Sequence, residues 1–135
     1  IHGSKGGTVT LWNDFIETNP QLNATETWEL YNFTADAHPI HLHLVKFKVL
    51  DRQLINDTGD LVDDPVPPEA DETGWKDTVI AYPGQVTRVT ATFDIAGLYV
   101  WHCHIVEHED NEMMVPYCVG NPELNGCDGL VRPTR

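Results

Sequence analysis

Apolar and polar positions alternate along this chain in short runs broken by turn residues, and no helical period longer than two turns appears. Thr8 to Trp12, after the Gly6-Gly7 turn, reads as a first strand. Thr25 to Phe33 alternates imperfectly, with Trp28 and Leu30 on one face and Thr27 and Glu29 on the other. His41 to Leu50 reads as one strand whose apolar face switches from Leu42 and Leu44 to Phe47 and Val49, the signature of a bulge. Thr78 to Ala81, a Pro83-Gly84 turn and Val86 to Phe93 follow, the last with Val89, Ala91 and Phe93 on one face. Leu98 to His104 puts Tyr99, Trp101 and Cys103 on one side and Leu98, Val100, His102 and His104 on the other. A final strand spans Met114 to Val119. Six to eight short strands at this spacing predict an all-β chain folded as a sandwich or barrel.

Between Asp57 and Glu72 the pattern stops: seven acidic residues, no basic one, and Pro65, Pro67 and Pro68. Such a stretch cannot bury itself, so it is expected to be a solvated surface loop. Bordering a substrate entrance and holding a cation through clustered carboxylates are the alternatives. Trp12, Trp28, Trp75 and Trp101 are read as core or inter-domain packing groups.

The 135 residues suffice for one domain with its own core, and neither an internal repeat nor a second domain is visible. No tract reaches the roughly 18 apolar residues of a membrane span. The opening IHGSKGGTVTL lacks the apolar stretch of a signal peptide, and Ile at position 1 points to a mature or excised piece. With 21 acidic against 8 basic residues the net charge is −13, which opposes binding to nucleic acid or anionic lipid. Cys118 and Cys127, nine positions apart in a polar tail, are expected to form a disulfide, which would imply an oxidising compartment; two unpaired thiols are the alternative. Three Asn-x-Thr sequons, at Asn23, Asn32 and Asn56, are compatible with a secreted glycoprotein.

The chemistry concentrates in two tracts, HPIHLH at 38 to 43 and HCHIVEHEDNEM at 102 to 113, which hold six of the seven histidines around one cysteine. Imidazole, thiolate and thioether together form the ligand set that selects copper for electron transfer. Cys103 and His108 are five apart and Met113 five further on, so a loop leaving a strand can wrap them around one ion, with His38 as the distant second imidazole. Alone, a buried cysteine or methionine is ordinary core filling; four residues at these spacings are not. In an extended strand His102 and His104 share the face opposite Cys103, and His41 and His43 share a face with Leu42 turned away. One short run can therefore serve two metal sites, and the His-x-His pairs in isolation would suit zinc or copper equally.

These residues carry a family resemblance. HPIHLH with HCHIVEHEDNEMM, framed by WKDTVIAYPGQ at 75 to 85 and GLYVWHCH at 97 to 104, resembles the carboxy-terminal cupredoxin domain of multicopper oxidases, nearest the spore-coat laccase and bilirubin oxidase branch, over roughly residues 28 to 118. The resemblance implies a cupredoxin-like Greek-key sandwich or barrel spanning 1 to 135 as a single domain of a larger oxidase. It implies a type 1 copper held by His38, Cys103 and His108 with Met113 axial, His41 on a type 2 copper, and His43, His102 and His104 on a type 3 pair. Electrons from a phenol, aromatic amine, bilin or metal ion would enter at type 1 copper and reach a trinuclear cluster that reduces dioxygen to water. Glu109 matches a carboxylate that would supply protons, a solvent-facing or structurally paired side chain being the alternative. An extracellular, periplasmic or spore-surface location accords with this.

Length is the departure. The type 1 site is complete in the chain, but only half of the trinuclear ligands are, and His2 alone is left over. An amino-terminal cupredoxin domain or another chain is thus the expected partner. A shortened blue copper protein that only transfers electrons, and a two-fold pair of copies, are the other solutions.

Overall fold

The computed structural model describes residues 20–103 and 114–121, with backbone alone at 114–116. Eight strands are present among them: β1 (Ala24–Asn32), β2 (His38–Leu42), β3 (Phe47–Ile55), β4 (Leu61–Val66), β5 (Thr78–Ala81), β6 (Gln85–Phe93), β7 (Gly97–Cys103) and β8 (Met114–Val119). They form two four-stranded sheets, ordered β1-β6-β3-β4 and β5-β2-β7-β8, in which every pairing is antiparallel. The all-β expectation holds. The strand expected at Thr8 to Trp12 lies outside the described residues.

Alternation decides which side chains lie between the sheets. From β1 comes Leu30, from β6 Val89, Ala91 and Phe93, and from β3 Phe47 and Val49; Ile40, Leu42, Val79, Ala81, Cys103 and Tyr117 face them from the other sheet. Trp28 stacks on Phe93 with ring centroids 5.4 Å apart and meets Tyr117 edge-on at 5.5 Å. Both arrangements match the quadrupolar preference of aromatic pairs. Trp101 packs half-buried against this core as expected, whereas Trp75 is 64% exposed, which rules out core packing for it.

Two expectations need correction. The stretch from 41 to 50 is not one bulged strand: β2 and β3 lie in different sheets, and the chain crosses between them with Leu44 at a φ of 83°. The switch of apolar face arises because Leu42 and Phe47 enter the same core from opposite sides. A real register shift follows between Val49 and Asp51. The acidic segment is likewise not all loop, since Leu61–Val66 pairs with β3 as an edge strand exposed throughout. Backbone pairing along one side lets it form without burial, and Pro65 is tolerated at an edge.

The end of that segment is anchored. Glu72, in a short 3-10 turn at Ala70–Glu72, takes both guanidinium arms of Arg52 at 2.6 Å, with 10% and 13% of the two side chains exposed. Arg52 also donates to Ile80 O at 3.0 Å, so a β3 residue clasps β5 of the opposite sheet. The guanidinium holds the Glu72 carboxyl below the usual glutamate range. A lowered native value contributes stability above the ordinary range and loses it as pH falls through the native value. Glu72→Gln should therefore cost about 3 kcal/mol at neutral pH. In denaturation curves taken across pH, the gap between wild type and variant should hold above the ordinary glutamate range and close only as pH falls through the lowered native value.

Candidate metal centre

Strands β2 and β7 are neighbours, and their register brings the two histidine tracts together. Ile40 opposes Cys103, His41 opposes His102 and Leu42 opposes Trp101. Because side chains alternate, Ile40 and Cys103 point into the core while His41 and His102 point to the outer face. His43, just past β2, is held beside β7 by its N–H donating to Val100 O at 3.0 Å. Tyr117 fixes the same residue from below, donating its hydroxyl to His43 O. Burial pushes that phenol above its ordinary value, so it stays a donor.

On the outer face, His41, His43 and His102 bring one ring nitrogen each within 4.8 Å of one another. Their rings meet edge to face at 5.0, 5.3 and 5.1 Å between centroids. Backbone carbonyls select the nitrogens they present. His41 Nδ1 lies 2.9 Å from Asp77 O, and His102 Nδ1 lies 3.1 Å from Cys103 O. A carbonyl oxygen only accepts, so each Nδ1 carries the proton and each Nε2 turns outward. His102 Nε2 and His43 Nε2 face each other at 3.1 Å, which requires a proton or a cation between them. His102 is buried, His41 intermediate and His43 exposed, so this cluster opens to the outside.

On the core side, Cys103 Sγ lies 3.7 Å from His38 Nδ1, both residues being buried. His38 opposes Ala81 on β5 and lies on β2 two residues before Ile40, the cross-strand partner of Cys103. The far nitrogen, Nε2, meets the Thr34 hydroxyl at 2.7 Å. His104, His108, Glu109 and Met113, as well as His2 and Cys127, lie outside the described residues. Cys118 is buried on β8.

Sequence reasoning missed the groups that orient these rings. Asp77 O, Thr34 and Asn32 belong to no metal-ligating motif. Asn32 heads a sequon, yet its side chain is fully buried and its amide donates to two carbonyls, so in the folded chain it is closed to a glycan. The available signal was its position two residues after Leu30, on the inward face of β1.

A family model of the multicopper oxidases matches residues 7–123. This chain belongs to the multicopper oxidase family. It is 46% identical over 119 residues to a laccase of Bacillus subtilis (strain 168), an alignment covering 82% of this chain and 23% of that protein. To a laccase of Haloferax volcanii it is 49% identical over 104 residues, covering 76% of this chain and 17% of that one. Among solved structures it is similar to the McoA multicopper oxidase of the hyperthermophile Aquifex aeolicus, with a TM-score of 0.67 at 32% identity over 82% of this chain and 23% of that chain. The chain thus spans about a quarter or less of the length of these relatives.

Family membership implies copper, and the donor atoms fit it. Cys103 Sγ and His38 Nδ1, buried and 3.7 Å apart, would supply the thiolate and an imidazole of a copper site at a separation that one ion could bridge. The outer imidazoles supply three nitrogen donors at a spacing that one ion or two adjacent ions can use.

Proposed function

We propose that this multicopper oxidase chain is the carboxy-terminal cupredoxin domain, residues 1 to 135, of an oxygen-dependent oxidase of phenols, aromatic amines, bilins or metal ions. The observation that carries the reading is the division of ligands by strand face: thiolate and His38 toward the core, His41, His43 and His102 on the outside. His38, Cys103, His108 and Met113 would hold a type 1 copper, His41 a type 2 copper, and His43, His102 and His104 a type 3 pair. Copper bound there would supply one-electron redox chemistry between a reducing substrate and dioxygen.

The chain's own residues prepare this chemistry. Cys103 opposes Ile40 across β2 and β7 and is fully buried in the core between the sheets. A thiolate there exchanges electrons with little solvent reorganisation. The single peptide unit between Cys103 and His102 is the shortest covalent route from the inner face to the outer one. His41 and His102 are held by carbonyls so that Nε2 faces outward. Glu109 is assigned to deliver protons for oxygen reduction, because neutral imidazoles locked by carbonyls and metal have none to give. An amino-terminal cupredoxin domain or another chain would cover the outward cluster and supply the remaining imidazoles; the exposure of His43 supports this. A Cys118–Cys127 disulfide and an extracellular, periplasmic or spore-surface location complete the proposal.

The test is copper analysis with oxygen-uptake measurements on the full-length protein that contains this chain. Blue colour, more than one copper per molecule and oxygen consumption with a phenol are expected. Colour with a single copper and no oxygen uptake would make the protein an electron carrier instead. Bound metal without colour would overturn the redox reading altogether.

A further inference from the structure

The Thr34 hydroxyl has one hydrogen and three polar neighbours, and counting that hydrogen locates a proton elsewhere. The side-chain amide of Asn32 has one orientation that its neighbours allow. Its Nδ2 donates to Asp36 O at 2.8 Å and Ala81 O at 2.9 Å, atoms that only accept, so Oδ1 is the atom turned toward Thr34. Thr34 N–H donates to that Oδ1 at 2.9 Å, which agrees. The Thr34 hydroxyl lies 2.6 Å from the same Oδ1 and 3.2 Å from Asp36 O, so its hydrogen is committed to an acceptor there. Toward His38 Nε2, 2.7 Å away, Oγ1 therefore offers only a lone pair. Nε2 must carry the ring proton, which leaves the lone pair on Nδ1, the atom 3.7 Å from Cys103 Sγ.

We propose that Thr34, oriented by Asn32, is a positioning residue that fixes His38 as the Nε2–H tautomer and so aims the Nδ1 lone pair at the Cys103 sulfur. The relay is braced against the strand it serves, since Ala81, whose carbonyl anchors Asn32, is the cross-strand partner of His38. Asn32 O also accepts from Gly84 N at 2.9 Å, in the turn that follows β5. Both Asn32 and His38 are buried, so bulk water is a poor substitute for the threonine oxygen. The purpose of the device rests on His38 and Cys103 being copper ligands; the tautomer itself is a property of the metal-free protein.

The experiment uses the full-length protein, labelled with ring-15N histidine and stripped of metal, with the His38 resonances assigned by their loss in His38→Gln. In wild type the Nε2 signal should be that of a protonated nitrogen and the Nδ1 signal that of an unprotonated one. Thr34→Ser should preserve this pattern. Thr34→Val, which keeps the shape and removes the acceptor, should release the ring into a mixture of tautomers. The same variant should weaken copper(I) binding at Cys103 by about 10- to 100-fold, with Thr34→Ser restoring it. A wild-type proton on Nδ1 overturns the proposal without any variant having to fold. A Thr34→Val spectrum and affinity equal to wild type overturn it too. Should the tautomers behave as expected while wild type takes up no copper at Cys103, the device stands and the copper reading of the site fails.

Discussion

Replacing Cys103 with serine in the full-length protein is expected to abolish the blue absorption and to drop substrate oxidation by more than the roughly 100-fold that losing a ligand's hydrogen-bond partner costs. Under the proposed function the colour would come from the Cys103 thiolate bound to copper, and a serine hydroxyl offers neither the soft donor nor its charge transfer. The change is small in volume at a fully buried position between the sheets, so folding should survive it. Visible spectra and turnover measured on the same preparation, with circular dichroism to verify the sheet content, make the check. Retention of the blue band in Cys103→Ser would remove the thiolate from the site.

His102→Ala is expected to do the opposite to the colour. The imidazole lies on the outer face with His41 and His43, while its neighbour Cys103 lies on the inner one. The blue band should persist and oxygen uptake should fall below detection, a loss again exceeding about 100-fold. Reduction of the blue band by substrate should continue, because Cys103 and His38 are untouched. Spectral titration with a phenol under nitrogen, followed by admission of oxygen, separates the two half-reactions. If the alanine variant bleaches outright, the two faces do not hold separate centres.

Much of this arrangement was legible because a strand has a period of two. His102 and Cys103, or Leu42 flanked by His41 and His43, are assigned to faces by counting; buried Leu42 between less buried His41 and exposed His43 follows that count, and the register that opposes His41 to His102 and Ile40 to Cys103 agrees for the other pair. The runs at β1, β6, β7 and β8 were visible for the same reason. Where the period is silent, sequence reasoning failed. The edge strand Leu61–Val66 has no buried face, so nothing in its residues distinguished it from a loop. The crossing at Leu44 resembled a bulge because both interrupt alternation, and only the sheet to which each half belongs tells them apart. The pairing of His41 with His102 depends on long-range register, and the Asn32-Thr34 relay depends on a turn conformation. Neither leaves a compositional trace. In the case of Asn32 a sequon pointed the wrong way.

The one-to-one opposition of Ile40 with Cys103 and His41 with His102 also limits how this centre can be altered or transplanted. Inserting a single residue into β7 ahead of position 102 would rotate every later side chain by half a turn, driving an imidazole into the hydrocarbon interior and leaving the sulfur in solvent. An insertion of two would keep each donor on its own side and merely slide it along the ladder. Loop grafts and length variants that add or remove even numbers of strand residues are therefore the ones that retain the chemistry, and odd ones invert it.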